Sequence, residues 1–202
     1  MTITYKVGDG LYVNITNECT NACDFCIRNN GAGAYGSDPL WLEREPTANE
    51  ILDDIQKSWS EDDYSELVFC GYGEPTCRLD DMLWVCKELR KKLPDIKIRL
   101  NTNGQSDLIH KKNTAPMFSG LIDSISISLN SADAKKYQAV CHSVYGEEAY
   151  EGMLDFAKSV KCYVPDVALS VVRGFLSEED IAACQDIADK IGVRLRIREY
   201  IS

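Results

Sequence analysis

The strongest constraint on this chain is a repeated exchange between short apolar runs and longer amphipathic ones, sustained from the first residues to the last. "TITYKV-GDG-LYVNIT" reads as paired strands about a Gly-Asp-Gly turn. "ELVFCG", "IKIRLNTNG", "SISISLN", "VALSVVRG" and "VRLRIREYI" read as further strands. Between them lie helical patterns with recognisable ends. A capping box, Thr47-Ala48-Asn49-Glu50, opens a helix to about Trp59. "LDDMLWVCKELRKKL" is amphipathic and stops at Pro94, and a looser helical piece runs to about Phe118. "EEAYEGMLDFAKSV" follows, and Ser177 caps "EEDIAACQDIADKI", which Gly192 ends. Residues 27–46 form an irregular Gly- and Pro-containing connection, with no tandem repeat or low-complexity segment elsewhere.

Six strands with five intervening helices, joined by right-handed crossovers, call for a parallel sheet with its helices outside. Eight such units close a full barrel. The expectation is therefore an α/β fold, an open partial (βα)6 TIM-type barrel, formed by residues 1–202 as a single domain. Within it, 1–16 are the N-terminal strands, 17–30 a ligand-bearing loop and 47–202 the remaining βα units. Ligands of parallel sheets gather at the carboxyl ends of the strands. Here those ends read Cys19–Cys26, "GYGEPT", "NTNG", "SLNS" and "VRG". Alternation sends Ile98, Leu100, Ile125, Ile127 and Leu129 toward the helices. Arg99, Asn101, Asn103, Ser124, Ser126, Ser128 and Asn130 then face an interior too polar for a plain core, which marks a ligand cavity.

A net charge of −10 argues against nucleic acid as a bulk partner, because phosphate binding relies on Lys and Arg. The opening "MTITYKVGDG" has no signal-peptide pattern, and no apolar stretch approaches the length of a membrane span. Nine cysteines without an export signal imply a reducing, cytoplasmic setting where they serve as thiols or metal ligands.

"NECTNACDFC" places Cys19, Cys23 and Cys26 in C-x3-C-x2-C spacing directly after a strand. Soft thiolates suit zinc, copper(I) or iron–sulfur clusters. A structural zinc site needs a fourth donor, and neither His110 nor His142 lies at short spacing. A catalytic zinc with an open position, a [4Fe–4S] cube with one iron left open, and three unrelated buried thiols are the readings the loop admits. The cube fits best, since three thiolates on a short loop can each reach one iron.

The same loop, Cys19-x3-Cys23-x-Phe25-Cys26, resembles the signature of the radical S-adenosylmethionine (radical SAM) superfamily, including its aromatic residue before the third cysteine. "GYGEP" resembles that superfamily's GGEP motif, with Gly73, Glu74 and Pro75 matching and Tyr72 in place of a usual glycine. "NTNG" and "SISLN" fall where its members place further contacts. "GYGEPTCRLD", "RLNTNGQSDLIH" and "SISLN" are similar to the small TatD-associated radical SAM proteins.

The resemblance implies that the amino and carboxylate groups of SAM occupy the open iron. A reduced cluster would then cleave SAM to methionine and a 5′-deoxyadenosyl radical, which abstracts hydrogen from an unknown substrate. It implies that Gly71 and Gly73 let backbone approach SAM, and that backbone near Gly73 and Glu74 meets its ammonium. Ser128 and Asn130 are candidates for the ribose hydroxyls, Arg173 for the SAM carboxylate, and Phe25 for adenine or for covering the cluster. Arg28 and Asn101 would serve SAM or substrate. Flavodoxin or ferredoxin is the implied reductant, and a TatD-type hydrolase a possible pathway companion.

Cys77 and Cys141 are candidate hydrogen-donor thiols at the rim, set against packing as small hydrophobes, and His142 is a weak acid–base candidate. Arg194, Arg196 and Arg198 share one face of the last strand, as a solvated edge or as a site for an anionic substrate. No cysteine-rich stretch follows that strand, so auxiliary clusters are not expected. The competing readings are a glycyl-radical-type activating enzyme acting on a protein, a non-catalytic iron–sulfur electron-transfer protein, and a zinc-thiolate protein.

Overall fold

A computed structural model describes residues 1–29 and 36–199. The tip of the predicted cysteine loop at residue 30, part of the irregular connection, and the end of the predicted last strand lie outside the described residues.

Strands β1 (Thr4–Val7) and β2 (Gly10–Val13) form the expected hairpin, with Gly8 at φ +61° in its two-residue turn. The sheet continues through β3 (Glu66–Phe69), β4 (Ile98–Thr102), β5 (Ser124–Ser128), β6 (Asp166–Val172) and β7 (Arg194–Arg198). All seven strands lie in sequence order, and every pairing after the first is parallel. Among the described residues β1 and β7 do not pair, so the barrel is open. The fold is the partial (βα)6 barrel expected from the alternation, with β1 added at one edge.

Helices α1 (Ala48–Glu61), α2 (Leu79–Lys92), α3 (Ser106–His110), α4 (Ala134–Cys141), α5 (Glu148–Val160) and α6 (Glu178–Ile191) connect the strands. The Thr47/Glu50 capping box is present in both directions, Ser177 accepts from the Asp180 N–H, and Gly192 ends α6 in the left-handed region. Helix α4 was not expected. Its eight residues carry too short an apolar pattern to stand out, although Asp133 supplies a sequence-visible cap by accepting from the Lys136 N–H.

The predicted alternation holds. Ile98, Leu100, Ile125, Ile127 and Leu129 are buried in the core that also contains Phe118, Met153 and Phe156. Each such side chain contributes roughly 1.5–3 kcal/mol on burial. The opposite face carries the polar side chains, and register aligns Ser128, Ser170 and Arg196 across three neighbouring strands.

Candidate active site

The carboxyl ends of the parallel strands surround a cavity of about 480 Å³. Cys19, Cys23 and Cys26 enter it from the loop after β2. Phe25 lines it too, its ring 5.2 Å from that of Phe175. Gly71, Gly73 and Glu74 line it after β3, Asn101 on β4, and Ser128 and Asn130 at the end of β5. The three sulfurs share the cavity without meeting at a point: among the described residues, no three His, Cys, Asp or Glu side chains are close enough to hold a single metal ion.

The cysteine loop is anchored on three sides. The Glu74 N–H donates to the Glu18 carbonyl at 2.7 Å, joining the loop to the turn after β3. The Ala22 and Asp24 N–H groups donate to the Cys141 and Val140 carbonyls, each at 3.0 Å, so the end of α4 supports the loop from behind. Beneath it, the fully buried Gln105 amide is a hub. Its Nε2 donates to Asn21 Oδ1 (2.8 Å) and Tyr137 Oη (3.0 Å), while its Oε1 accepts from Thr20 (2.7 Å) and Ser143 (3.1 Å). Asn103 Nδ2 also donates to Thr20 Oγ1 at 2.8 Å. A fully satisfied buried network of this kind fixes one geometry.

The two glycines have a local reason as well as a place in the cavity. A Cβ on Gly71 would overlap the side chain of Asn14, whose Oδ1 accepts from the Tyr72 N–H at 3.3 Å. A Cβ on Gly73 would overlap the Thr16 carbonyl and lie 2.6 Å from that of Glu18. Both positions are therefore set by the approach of the β2 end and its loop, which holds with or without a ligand.

Glu74 is buried and accepts four hydrogen bonds. Oε1 takes the Thr76 N–H (3.0 Å) and the hydroxyls of Thr76 and Thr102 (both 2.7 Å); Oε2 takes the Asn103 N–H (2.7 Å). Burial raises its pKa, opposed first by the Asn103 N–H and then by the threonines. The side chain thus latches the turn after β3 to the end of β4.

Burial, aided by the negative charge of Glu74, pushes the Cys19 thiol up to about 12, and burial raises Cys26. Cys23 is raised chiefly by its hydrogen bond with the Cys141 thiol and then by burial. The Arg28 charge opposes the rise at Cys19 and Cys26 without reversing it, and binding an iron centre would displace the thiol protons.

Three of the candidate residues lie outside the cavity lining. Arg173 does not line the cavity: it is exposed and pairs with Glu178 (3.5 Å) and with Glu199 (3.3 Å), which does line it. Cys77 sits in the 3-10 turn Pro75–Arg78 outside the cavity lining, its thiol pushed by burial to about 12. Cys141 is fully buried behind the loop, accepting from Asn130 Nδ2 at 3.8 Å, so it packs rather than faces the cavity. Arg28 donates to the Asn21 carbonyl (3.1 Å), and His142 is exposed beside Asp24 (2.8 Å). Sequence reasoning missed Asn14, Asn21, Gln105 and Tyr137 as loop supports. Gln105 directly follows "NTNG", the one local cue.

An open (βα)6 barrel with three cysteines lining its carboxyl-end cavity defines an α/β scaffold with a thiol-bearing ligand site. The Radical SAM superfamily model matches residues 13–187, and the chain belongs to that superfamily. It is 23% identical over 192 residues to the GTP 3′,8-cyclase of Staphylococcus haemolyticus, covering 95% of this chain and 54% of that protein. A probable GTP 3′,8-cyclase of Pyrococcus horikoshii is 25% identical over 189 residues, covering 94% and 55%. The chain therefore spans about half the length of these curated relatives. Streptococcus suis SuiB bound to S-adenosylmethionine superposes with a TM-score of 0.70 at 22% identity, over 96% of this chain and 41% of SuiB.

Proposed function

We propose that this protein is a radical SAM enzyme in which Cys19, Cys23 and Cys26 each bind one iron of a [4Fe–4S] cluster and SAM occupies the fourth. The observation that carries this reading is that Cys19, Cys23 and Cys26 all line one cavity at the carboxyl ends of the strands, together with Gly73 and Glu74, within the span that matches the superfamily model. When bound, cluster and SAM supply one-electron cleavage of the sulfonium C5′–S bond and hydrogen abstraction from substrate.

The chain's own residues bind, orient and exclude water. The Glu74 latch and the Gln105 hub hold the cysteine loop to the ends of β3 and β4. Backbone near Gly73 and Glu74 is assigned to the SAM ammonium, Ser128 and Asn130 to its ribose, and Phe25 to its adenine or to the cover of the cluster. The Asn130 Oδ1 supports this, since it is buried at the cavity without a hydrogen-bond partner and can accept from a ribose hydroxyl. Asn101 serves SAM or substrate. Arg173 is not assigned a contact.

Residues 1–202 act as one core domain in the cytoplasm, reduced by a protein of the flavodoxin or ferredoxin class, with a TatD-type hydrolase as pathway companion by family analogy. No described helix is long and apolar enough to cross a membrane. A protein substrate is the second reading. Exposed Phe175 and Ile197, both next to the cavity, favour it.

The test is spectroscopic. SAM added to the anaerobically reconstituted, reduced protein changes the cluster's electron paramagnetic resonance signal. An unchanged signal at saturating SAM contradicts the reading and favours an electron-transfer protein.

A further inference from the structure

The inner face of the sheet carries four arginines, and they fall into two pairs. Near the amino ends of the strands, Arg99 donates to both carboxylate oxygens of Glu66 (2.5 and 3.0 Å) and Arg194 to both of Asp166 (2.8 and 2.9 Å). These two charges are neutralised. Further along the same faces, Arg196 and Arg198 line the cavity. Among the described residues neither side chain makes a hydrogen bond or ion pair, and Arg198 Nε is buried without a partner.

The acidic groups facing the cavity do not meet this need. Glu74 is occupied by four donors on the far side, and Glu199 is exposed and pairs with Arg173. Next to Arg196 in register is Ser170, 1% exposed, whose hydroxyl also lacks a partner, and beyond it Ser128. Burial, with the like charges of Arg99 and Arg198 nearby, lowers the Arg196 pKa. A guanidinium held among like charges and partly out of water is costly unless a counter-charge arrives. Guanidinium forks match the two oxygens of carboxylates and phosphates.

We infer that Arg196 and Arg198 form a subsite for an oxyanion of the substrate, a carboxylate or a phosphoryl group, at the β6–β7 side of the cavity. The inference rests on the proposed radical SAM reading only for calling the occupant substrate. The paired lower arginines support the sheet, and the unpaired upper ones select the ligand. An anionic group there shares the cavity with the cysteine loop, which enters it after β2.

The experiment is calorimetric titration of the reconstituted, SAM-loaded protein with methylphosphonate and, separately, with succinate. The expected result is saturable one-site binding of one probe, which identifies phosphoryl or carboxylate, weakened by added salt. Affinity falls about tenfold or more in Arg196→Gln and in Arg198→Gln, the loss of a charge-assisted hydrogen-bonded pair. It is retained in Arg194→Gln, whose guanidinium is already paired. No saturable binding of either probe to the wild-type protein overturns the inference. So does equal affinity in Arg196→Gln, or mutual exclusion of probe and SAM, which would give the arginines to the SAM carboxylate. Formation of 5′-deoxyadenosine without added anion is measured in parallel, so failure of the radical SAM reading is read separately.

Discussion

Replacing Glu74 by Gln removes no atom from the site's outline yet breaks its latch. The two carboxylate oxygens each face a backbone N–H, Thr76 N on Oε1 and Asn103 N on Oε2. A glutamine amide has one accepting end and one donating end, so either rotamer sets an NH2 group against one of these buried donors. An unmet buried donor costs about 1–3 kcal/mol. The relief of a buried carboxylate offsets part of this, leaving a net loss of about 1 kcal/mol. Glu74→Ala abandons both N–H groups and the hydroxyls of Thr76 and Thr102, and leaves a hole, for about 4 kcal/mol. Urea unfolding of the wild type and both variants at pH 7, fitted with a common slope, measures the differences. Glu74→Gln within about 0.5 kcal/mol of wild type would refute the latch, because the carboxylate would then be interchangeable with an amide.

The other perturbations follow the same contacts. Gly73→Ala forces the turn after β3 away from the Thr16 and Glu18 carbonyls. It destabilises by about 1–3 kcal/mol and lowers iron bound per chain on reconstitution; normal iron content and midpoint would count against the close approach. Gln105→Leu strands Asn21, Thr20 and Ser143 polar groups in a buried pocket, costing about 2–4 kcal/mol and speeding iron release to a chelator; an unchanged release rate would remove Gln105 from the support of the loop. Glu50 titrates near 2 rather than its ordinary 4.5, held down by Arg44 first and then by the Thr47 cap. Because its folded pKa is depressed, its stabilisation is present above pH 4.5 and fades as pH falls toward 2. A carboxyl carbon titration by NMR checks it, and a midpoint near 4.5 would contradict the pairing.

The sheet order and the cavity's position were legible because alternation and right-handed crossovers leave few topologies, and because polar side chains at Asn101, Ser128 and Asn130 have no reason to sit on a core-facing strand otherwise. The three cysteines were legible from spacing. Glu74 stood out by motif, but its role did not: the motif directs attention to backbone, whereas the side chain's partners come from β4, 28 and 29 residues away. The loop supports were hidden for the same reason. Gln105 reaches Asn21 across 84 residues and Tyr137 across 32, and no local pattern encodes such contacts. Arg173 lies at a strand end as read, but such a position fixes the neighbourhood and not the direction of the side chain, which pairs with Glu178 and Glu199. Arg194, Arg196 and Arg198 share a face as alternation requires, yet only the partners Asp166 and Glu66 on neighbouring strands separate structural arginines from free ones.

The central claim is reductive cleavage of SAM at the cysteine-lined cavity. Its most direct test is anaerobic reconstitution with iron and sulfide, reduction in the presence of SAM, and quantitation of 5′-deoxyadenosine and methionine beside the Cys23→Ala variant. The predicted result is matched formation of both products by the wild type and neither by the variant. A loaded, reducible cluster that yields no 5′-deoxyadenosine would contradict the claim.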